Sequence, residues 1–196
     1  MYVVLQVDAH KQFKLLSIRT NMPISTKTGD KGETSLGDGR RVSKSSCNID
    51  ASGAIDELNS TLGLIHSKTY SEKLKSEINT IQNELFVVGM DISTLSEQLK
   101  QKHLERIEKK VEEYEKFLGK LTGFVLPTGT EVASLLHIAR TLTRRAERKI
   151  ICLTKESNLN SFLLKYMNRL SDLFYLMALS ENKKGGQSEQ NVNFDI

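Results

Sequence analysis

Apolar positions recur at helical spacing from about residue 50 to residue 182. The first stretch, about 50–67, sets Ile55, Leu58, Leu62 and Ile65 on one stripe. The second, about 72–92, places Leu74, Ile78, Ile81, Leu85 and Val88 at alternating steps of four and three, the seam of a helix bundle. The third, about 101–118, carries Leu104, Ile107, Val111, Tyr114 and Leu118 but is otherwise dense in Glu and Lys, which predicts a solvated outer face. A break follows at Gly119–Gly129, containing Phe124-Val-Leu-Pro-Thr-Gly129. Thr130 is a suitable N-cap, with Glu131 favourable in the first turn, for a fourth helix over about 131–153. Its predicted inward residues are Leu135, Ala139, Leu142, Ala146, Ile150 and Leu153. The fifth, about 160–182, holds Leu163, Met167, Leu170, Phe174 and Met177. Helices joined by short connections predict an all-α, antiparallel bundle.

What flanks these helices divides the chain into three parts: an extension at 1–22, the bundle domain at 23–183 and a flexible C-terminal tail at 184–196. The extension opens with a strand-like run (Tyr2, Val3, Val4, Leu5, Val7). Met22 stands just before the segment that carries the chemistry. That position motivates the hypothesis that the functional chain starts at Met22. An intact mass from the native source that includes residue 1 would sink it. Residues 23–48 are rich in Gly, Thr, Ser and charge and read as loop.

Composition narrows the classes. At 196 residues the chain fits one domain, and 27% charged with 38% hydrophobic residues is ordinary for a globular protein. Only two prolines, Pro23 and Pro127, suit a mainly helical chain. A net charge of +4 is too small to argue for nucleic acid. Cys47 and Cys152 stand far apart in sequence with no metal-type spacing and read as thiols in a reducing cytoplasm, a disulfide being the minor alternative. His10, His66, His103 and His137 are scattered, none paired at ligand spacing. No apolar run approaches the ~20 residues that span a bilayer, and the N-terminus lacks a signal-peptide pattern.

Two segments carry candidate chemistry. Residues 25–44 read Ser-Thr-Lys-Thr-Gly-Asp-Lys-Gly-Glu-Thr-Ser-Leu-Gly-Asp-Gly-Arg-Arg-Val-Ser-Lys. Gly29, Gly32, Gly37 and Gly39 permit tight turns whose N–H groups form an anion nest. Thr26, Thr28, Thr34 and Ser35 add hydroxyl donors, and Lys27, Lys31, Arg40, Arg41 and Lys44 add charge. The loop suits a polyphosphate; a surface loop without a ligand is the alternative from composition. It lacks the Gly-Lys-Ser/Thr of a Walker A element. The second segment is Arg140-Thr-Leu-Thr-Arg-Arg-Ala-Glu-Arg148. Arg140, Arg144, Glu147 and Arg148 share one helical face. They form either a solvated ion-pair face or, since Arg stands there rather than Lys, a site for phosphate or carboxylate. On the fifth helix Asn168, Arg169 and Asp172 interrupt apolar sequence and suit either a nucleotide contact or a polar network between helices. Asp56 and Glu57 suit a cross-helix or cross-subunit salt bridge, or first-turn carboxylates. Phe124 reads on generic grounds as a core aromatic pinning a loop.

These residues resemble a known pattern. Thr26 to Lys44 followed by Gly53-Ala-Ile-Asp-Glu-Leu-Asn59 look like the start of a PduO-type corrinoid (cob(I)alamin) adenosyltransferase. Phe124 to Gly129, Arg140 to Arg148 and Leu164-Lys-Tyr-Met-Asn-Arg-Leu-Ser-Asp-Leu-Phe174 look like its remainder, in the same order from about residue 24 to 182. Ser52 stands where the family often has an aromatic residue, and Thr128 where it often has Gly. The resemblance implies a ferritin-like five-helix bundle assembled as a homotrimer with active sites between subunits. It implies transfer of the 5′-deoxyadenosyl group of ATP to the cobalt of cobalamin, with Mg²⁺ required. Carried over by motif, Thr26, Lys27, Thr28, Gly29, Asp30, Thr34, Ser35 and Lys44 bind ATP. Arg144, Arg145, Ala146, Glu147, Arg148 and Asn168 complete the nucleotide site from the neighbouring subunit. Arg144, Glu147 and Phe124 serve the reaction, Phe124 by standing under the corrin. Asp56 pairs with Arg140 across the interface. The expected setting is cytoplasmic, with a corrinoid reductase and an adenosylcobalamin-dependent enzyme as partners and neither nucleic acid nor membrane. A regulator on the same scaffold, a nucleic-acid-binding bundle and a di-metal carboxylate bundle fit less well. Phe124 and the Asp56/Arg140 pair argue against the first, Glu147 amid the arginines against the second, and the lack of a Glu-x-x-His pair against the third.

Overall fold

The five predicted helices form, with ends fixed by local chemistry. In the computed structural model, which describes residues 25, 27–120, 123–155 and 157–194, they are α1 (Cys47–Lys68), α2 (Glu72–Thr94), α3 (Gln101–Leu118), α4 (Glu131–Thr154) and α5 (Phe162–Lys184). Ser71 caps α2 by accepting from the Leu74 N–H at 3.3 Å, and Thr130 caps α4 by accepting from the Ala133 N–H at 3.1 Å. Leu95, left-handed at φ 54°, ends α2. The strand-like run of residues 2–7, the rest of the extension and Thr26 lie outside the described residues.

Helix α4 packs on α1 and α5, α5 also on α3, and α1 on α2. The predicted stripes of α1, α2 and α5 are buried as a set. Helix α5 is the central element: Leu163, Tyr166, Met167, Leu170, Leu173, Phe174, Met177 and Ala178 all enter the core. Helix α3 is peripheral, with Ile107 its only fully buried side chain. On α4 the stripe turns slightly from the prediction. Leu136, His137 and Thr143 are buried, while Leu135 and Leu142 flank the core. The helix faces two neighbours, so its buried arc is wider than a single seam.

Two buried carboxylates tie the helices together. Asp91 of α2 accepts from Ser96 Oγ (2.8 Å), Gln98 N (2.7 Å), Leu99 N (3.0 Å) and Asn160 Nδ2 (2.7 Å), fixing the α2–α3 connection and the segment before α5. Glu84 of α2 accepts from Arg106 of α3 (Nε, 2.7 Å) and Tyr166 of α5 (2.7 Å). Arg106 also pairs with Glu77.

The segment before α1 holds a small antiparallel hairpin, β1 (Glu33–Ser35) with β2 (Arg41–Ser43), Thr34 opposite Val42. The sequence reads there as plain loop. Two three-residue strands of largely polar character leave no periodic signal.

Candidate active site

The hairpin organises the glycine-rich loop. Its turn closes through Leu36 N to Arg40 O (2.8 Å) and Gly39 N to Leu36 O (3.0 Å), with Gly39 at φ +87°. Asp38 braces the turn by accepting from Arg40 N (3.0 Å) and Arg40 Nε (2.6 Å). Partial burial pushes the Asp38 pKa up, but these Arg40 hydrogen bonds outweigh it and hold the carboxyl below its ordinary range. Upstream, Lys44 N donates to Gly32 O (2.8 Å) and Arg41 Nη2 to Thr28 O (3.1 Å), which binds the start of the loop to β2. The Lys44 side chain crosses over Gly29. A Cβ at Gly29 would stand 3.0 Å from Lys44 Nζ and 3.1 Å from its Cε.

Lys44 thereby reaches a cleft of about 500 Å³ at the α1–α4 seam, lined also by Ser45, Asp50, Glu57, Arg145 and Lys149. Lys149 pairs with Asp50, and Arg145 with Glu57. Lys44 makes no ion pair among the described residues, so its charge stays available to an anion. Of the residues assigned to the nucleotide by resemblance, the chain brings Lys44 and Arg145 to this cleft. Lys27, Thr28 and Asp30 are exposed beside it in sequence, Gly29 lies under Lys44, Thr34 is half-buried and Ser35 exposed on the hairpin.

The others point elsewhere. Arg144 and Arg148 are exposed and Glu147 half-buried, and among the described residues none of the three forms an ion pair or side-chain hydrogen bond. None lines the cleft. The Ala146 methyl is fully buried in the core. Asn168 is exposed on α5, next to an Arg169–Asp172 pair (2.9 Å) that stays within that helix. Asp56 lines a second, larger cavity of about 790 Å³ with Leu36, Ile55, Phe86 and Met90. Arg140 is half-buried, and its Nε lacks a hydrogen-bond partner among the described residues. Glu57 realises the cross-helix salt bridge; Asp56 and Arg140 do not meet within one chain.

Phe124 corrects the generic reading of a core aromatic: it is 77% exposed. Its main chain is held by the tail, through Val192 N to Phe124 O (2.9 Å) and Leu126 N to Gln190 O (2.8 Å). Sequence reasoning missed His137. It is buried on α4, with neither ring nitrogen hydrogen-bonded among the described residues, and faces Tyr175 with ring centroids 6.0 Å apart. Burial first, then the neighbouring Arg140 charge, lowers its pKa. Burial and Glu189 raise Tyr175, with Arg140 opposing. No sequence signal marked it, because His137 stands off the apolar stripe predicted for this helix and is buried only because the helix faces two neighbours. Among the described residues no three His, Cys, Asp or Glu side chains cluster to hold a metal ion.

The fold and site define a class: a helical bundle with a basic, hairpin-braced glycine-rich loop at one seam and, among the described residues, arginines without ion pairs on an outer face. Comparison with known proteins supplies the family. The family described as cobalamin adenosyltransferase matches residues 24–181. The corrinoid adenosyltransferase of Bacillus subtilis is 41% identical over 173 residues, 84% of this chain and 89% of that one. The corrinoid adenosyltransferase PduO of Salmonella typhimurium is 37% identical over 174 residues, 85% of this chain and 52% of that longer one. A variant PduO-type ATP:corrinoid adenosyltransferase from Lactobacillus reuteri, solved in complex with cobalamin and ATP, superposes with a TM-score of 0.84 at 35% identity. It covers 88% of this chain and 97% of that chain. The chain belongs to the cobalamin adenosyltransferase family.

Proposed function

We propose that the chain transfers the 5′-deoxyadenosyl group of ATP to the cobalt of cob(I)alamin, forming adenosylcobalamin and releasing triphosphate. Membership of the family carries this reading, and the Lys44–Gly29 arrangement at the cleft supports it. In the reaction the Co(I) electron pair forms the bond to C5′ while the C5′–O bond breaks and its electrons leave with triphosphate. The substrate is itself the nucleophile, so the chain needs no base. Its task is to align C5′ with cobalt and to neutralise the charge that grows on the leaving phosphates. Lys44 and the loop N–H groups suit the second task from one subunit. The outward Arg144 and Arg148 suit it from another, with Glu147 and Asn168 on the same subunit. Exposed Phe124, braced by the tail, supplies an apolar plane for the corrin's lower face.

Asp56, Arg140, Arg144 and Arg148, without ion pairs among the described residues, support a homotrimer with active sites between subunits. Asp50 and Glu57 are already engaged by Lys149 and Arg145. Mg²⁺ would be held chiefly by the ATP phosphates and water, the habit of a cation that sheds its hydration reluctantly, and would offset phosphate charge. No helix among the described residues is long and apolar enough to cross a membrane, and we place the activity in the cytoplasm, between a corrinoid reductase and an adenosylcobalamin-dependent enzyme.

The test is anaerobic incubation with ATP, Mg²⁺ and chemically reduced cob(I)alamin, followed by absorbance. Enzyme-dependent formation of a light-sensitive adenosylcobalamin spectrum with triphosphate release is expected. ATP binding without conversion would instead make the chain a nucleotide-dependent regulator.

A further inference from the structure

Cys47 is the first residue of α1, and Cys152 lies in the last turn of α4, 105 positions further on. The sequence places them far apart; the fold sets their sulfurs 2.9 Å from each other. The juxtaposition follows from the register of the α1–α4 seam. Lys149, one turn before Cys152, pairs with Asp50, one turn after Cys47, and Arg145 pairs with Glu57 two turns further along. Cys152 is exposed and Cys47 half-buried, so a dissolved reagent reaches the pair through Cys152. No third ligand stands near enough to make the two sulfurs part of a metal cluster among the described residues. Two thiols in contact, one of them open to solvent, are suited to reversible thiol–disulfide exchange.

We propose that Cys47 and Cys152 are a redox modification site, forming an intrachain disulfide with a low-molecular-weight disulfide as oxidant. The Cys152 thiolate attacks one sulfur of the small disulfide, giving a mixed disulfide and releasing one small thiolate. The Cys47 thiolate then attacks the Cys152 sulfur and expels the second. Two protein thiols lose two protons and two electrons, which the small disulfide takes up as two thiols. The bond closes next to Ser46, two residues past Lys44, and so staples the point where the glycine-rich loop leaves α1 to the end of α4. This inference does not depend on the adenosyl-transfer reading, because it rests on the seam alone.

The full chain is equilibrated across a series of reduced-to-oxidised glutathione ratios, quenched with acid, and labelled under denaturing conditions with a thiol-specific maleimide. At the oxidising end, loss of both labels is expected, with a mass two hydrogens below the reduced chain and single-chain migration on a non-reducing gel. Dithiothreitol restores both labels. The oxidised chain melts roughly 5–10 °C above the reduced one, and Cys152→Ser melts alike under both conditions. Retention of both labels, glutathione adducts without an internal bond, or cross-links between chains would each overturn the proposal. These readouts are made on the wild-type chain, so they decide even if Cys152→Ser fails to fold.

Discussion

Gly29 and Gly129 are both crowded, by different kinds of neighbour, and a methyl group at each tests a different property. At Gly129, with φ +126°, a Cβ would stand 2.0 Å from Asn182 Oδ1. Asn182 is almost fully buried, accepts from Thr130 N (2.9 Å) and donates to Thr128 O (2.9 Å). Gly129→Ala forces a disfavoured backbone and displaces those bonds, so a loss of about 2–4 kcal/mol in urea unfolding is expected. At Gly29 the obstacle is chiefly the mobile end of Lys44. Gly29→Ala therefore leaves the unfolding free energy within about 0.5 kcal/mol and weakens ATP binding about tenfold by calorimetry, a shift of ~1.4 kcal/mol. Unchanged ATP affinity would remove Lys44 from the site. The glycines of residues 29–39 were legible as a candidate loop because they are dense in sequence. The role of Gly129 was not, because Asn182, which fills its space, lies 53 positions away on α5.

Among the helices, a largely sequestered charge cluster joins α2, α3 and α5. Arg106 joins α3 to Glu77 and Glu84 of α2, and Tyr166 of α5 shares Glu84. Burial works to lower the Arg106 pKa, but the two glutamates overcome it and the guanidinium is held charged well above its usual range. Burial, then Glu84, raises Tyr166. Arg106→Met keeps the length but leaves Glu84 with only the Tyr166 hydroxyl and Glu77 with only Lys110 at 3.8 Å, with an expected loss of about 3 kcal/mol in urea unfolding. A loss under 1 kcal/mol would show that water compensates them. His137 gives a pH dependence of definite sign. Its native pKa lies below the unfolded value of ~6.5. The unfolded chain therefore binds the proton first, and the contribution of His137 to stability is complete above that value and lost as pH falls through the native pKa. His137→Leu should reduce the drop in unfolding free energy between pH 7.5 and 5.5; an identical drop would acquit His137. The helices were readable from the sequence because their apolar stripes are long. The buried ionic partners were not, because Glu77, Glu84 and Arg106 look like any exposed charges until α2 and α3 are brought side by side.

The molecule as a whole divides its candidate site. The loop and Lys44 stand at the α1–α4 seam, and Arg144 with Arg148 faces outward from α4, so one chain shows both halves without joining them. The sequence names the members of each half through the resemblance, yet periodicity alone could not say whether they belong to one copy or to two. A shared site makes a quantitative prediction. Lys44→Ala and Arg144→Ala are each expected to lower turnover at least a hundredfold, since each removes a cation from the leaving phosphates. Co-expressed in equal amounts in a randomly mixed cyclic trimer, they regenerate a site wherever an intact loop meets an intact arginine from its neighbour. That combination arises at about one quarter of sites, so about one quarter of wild-type turnover should return in the unselected mixture of differently tagged chains, and about one third after purification through both tags, which removes the uniform trimers. Sites contained within one chain would give no recovery at all, because every chain then carries a defect of its own. A mixture as inactive as its parents, with both tags present in one assembly by native mass spectrometry, would therefore place the whole site on a single subunit. It would leave Arg144 to act on a nucleotide held by its own loop.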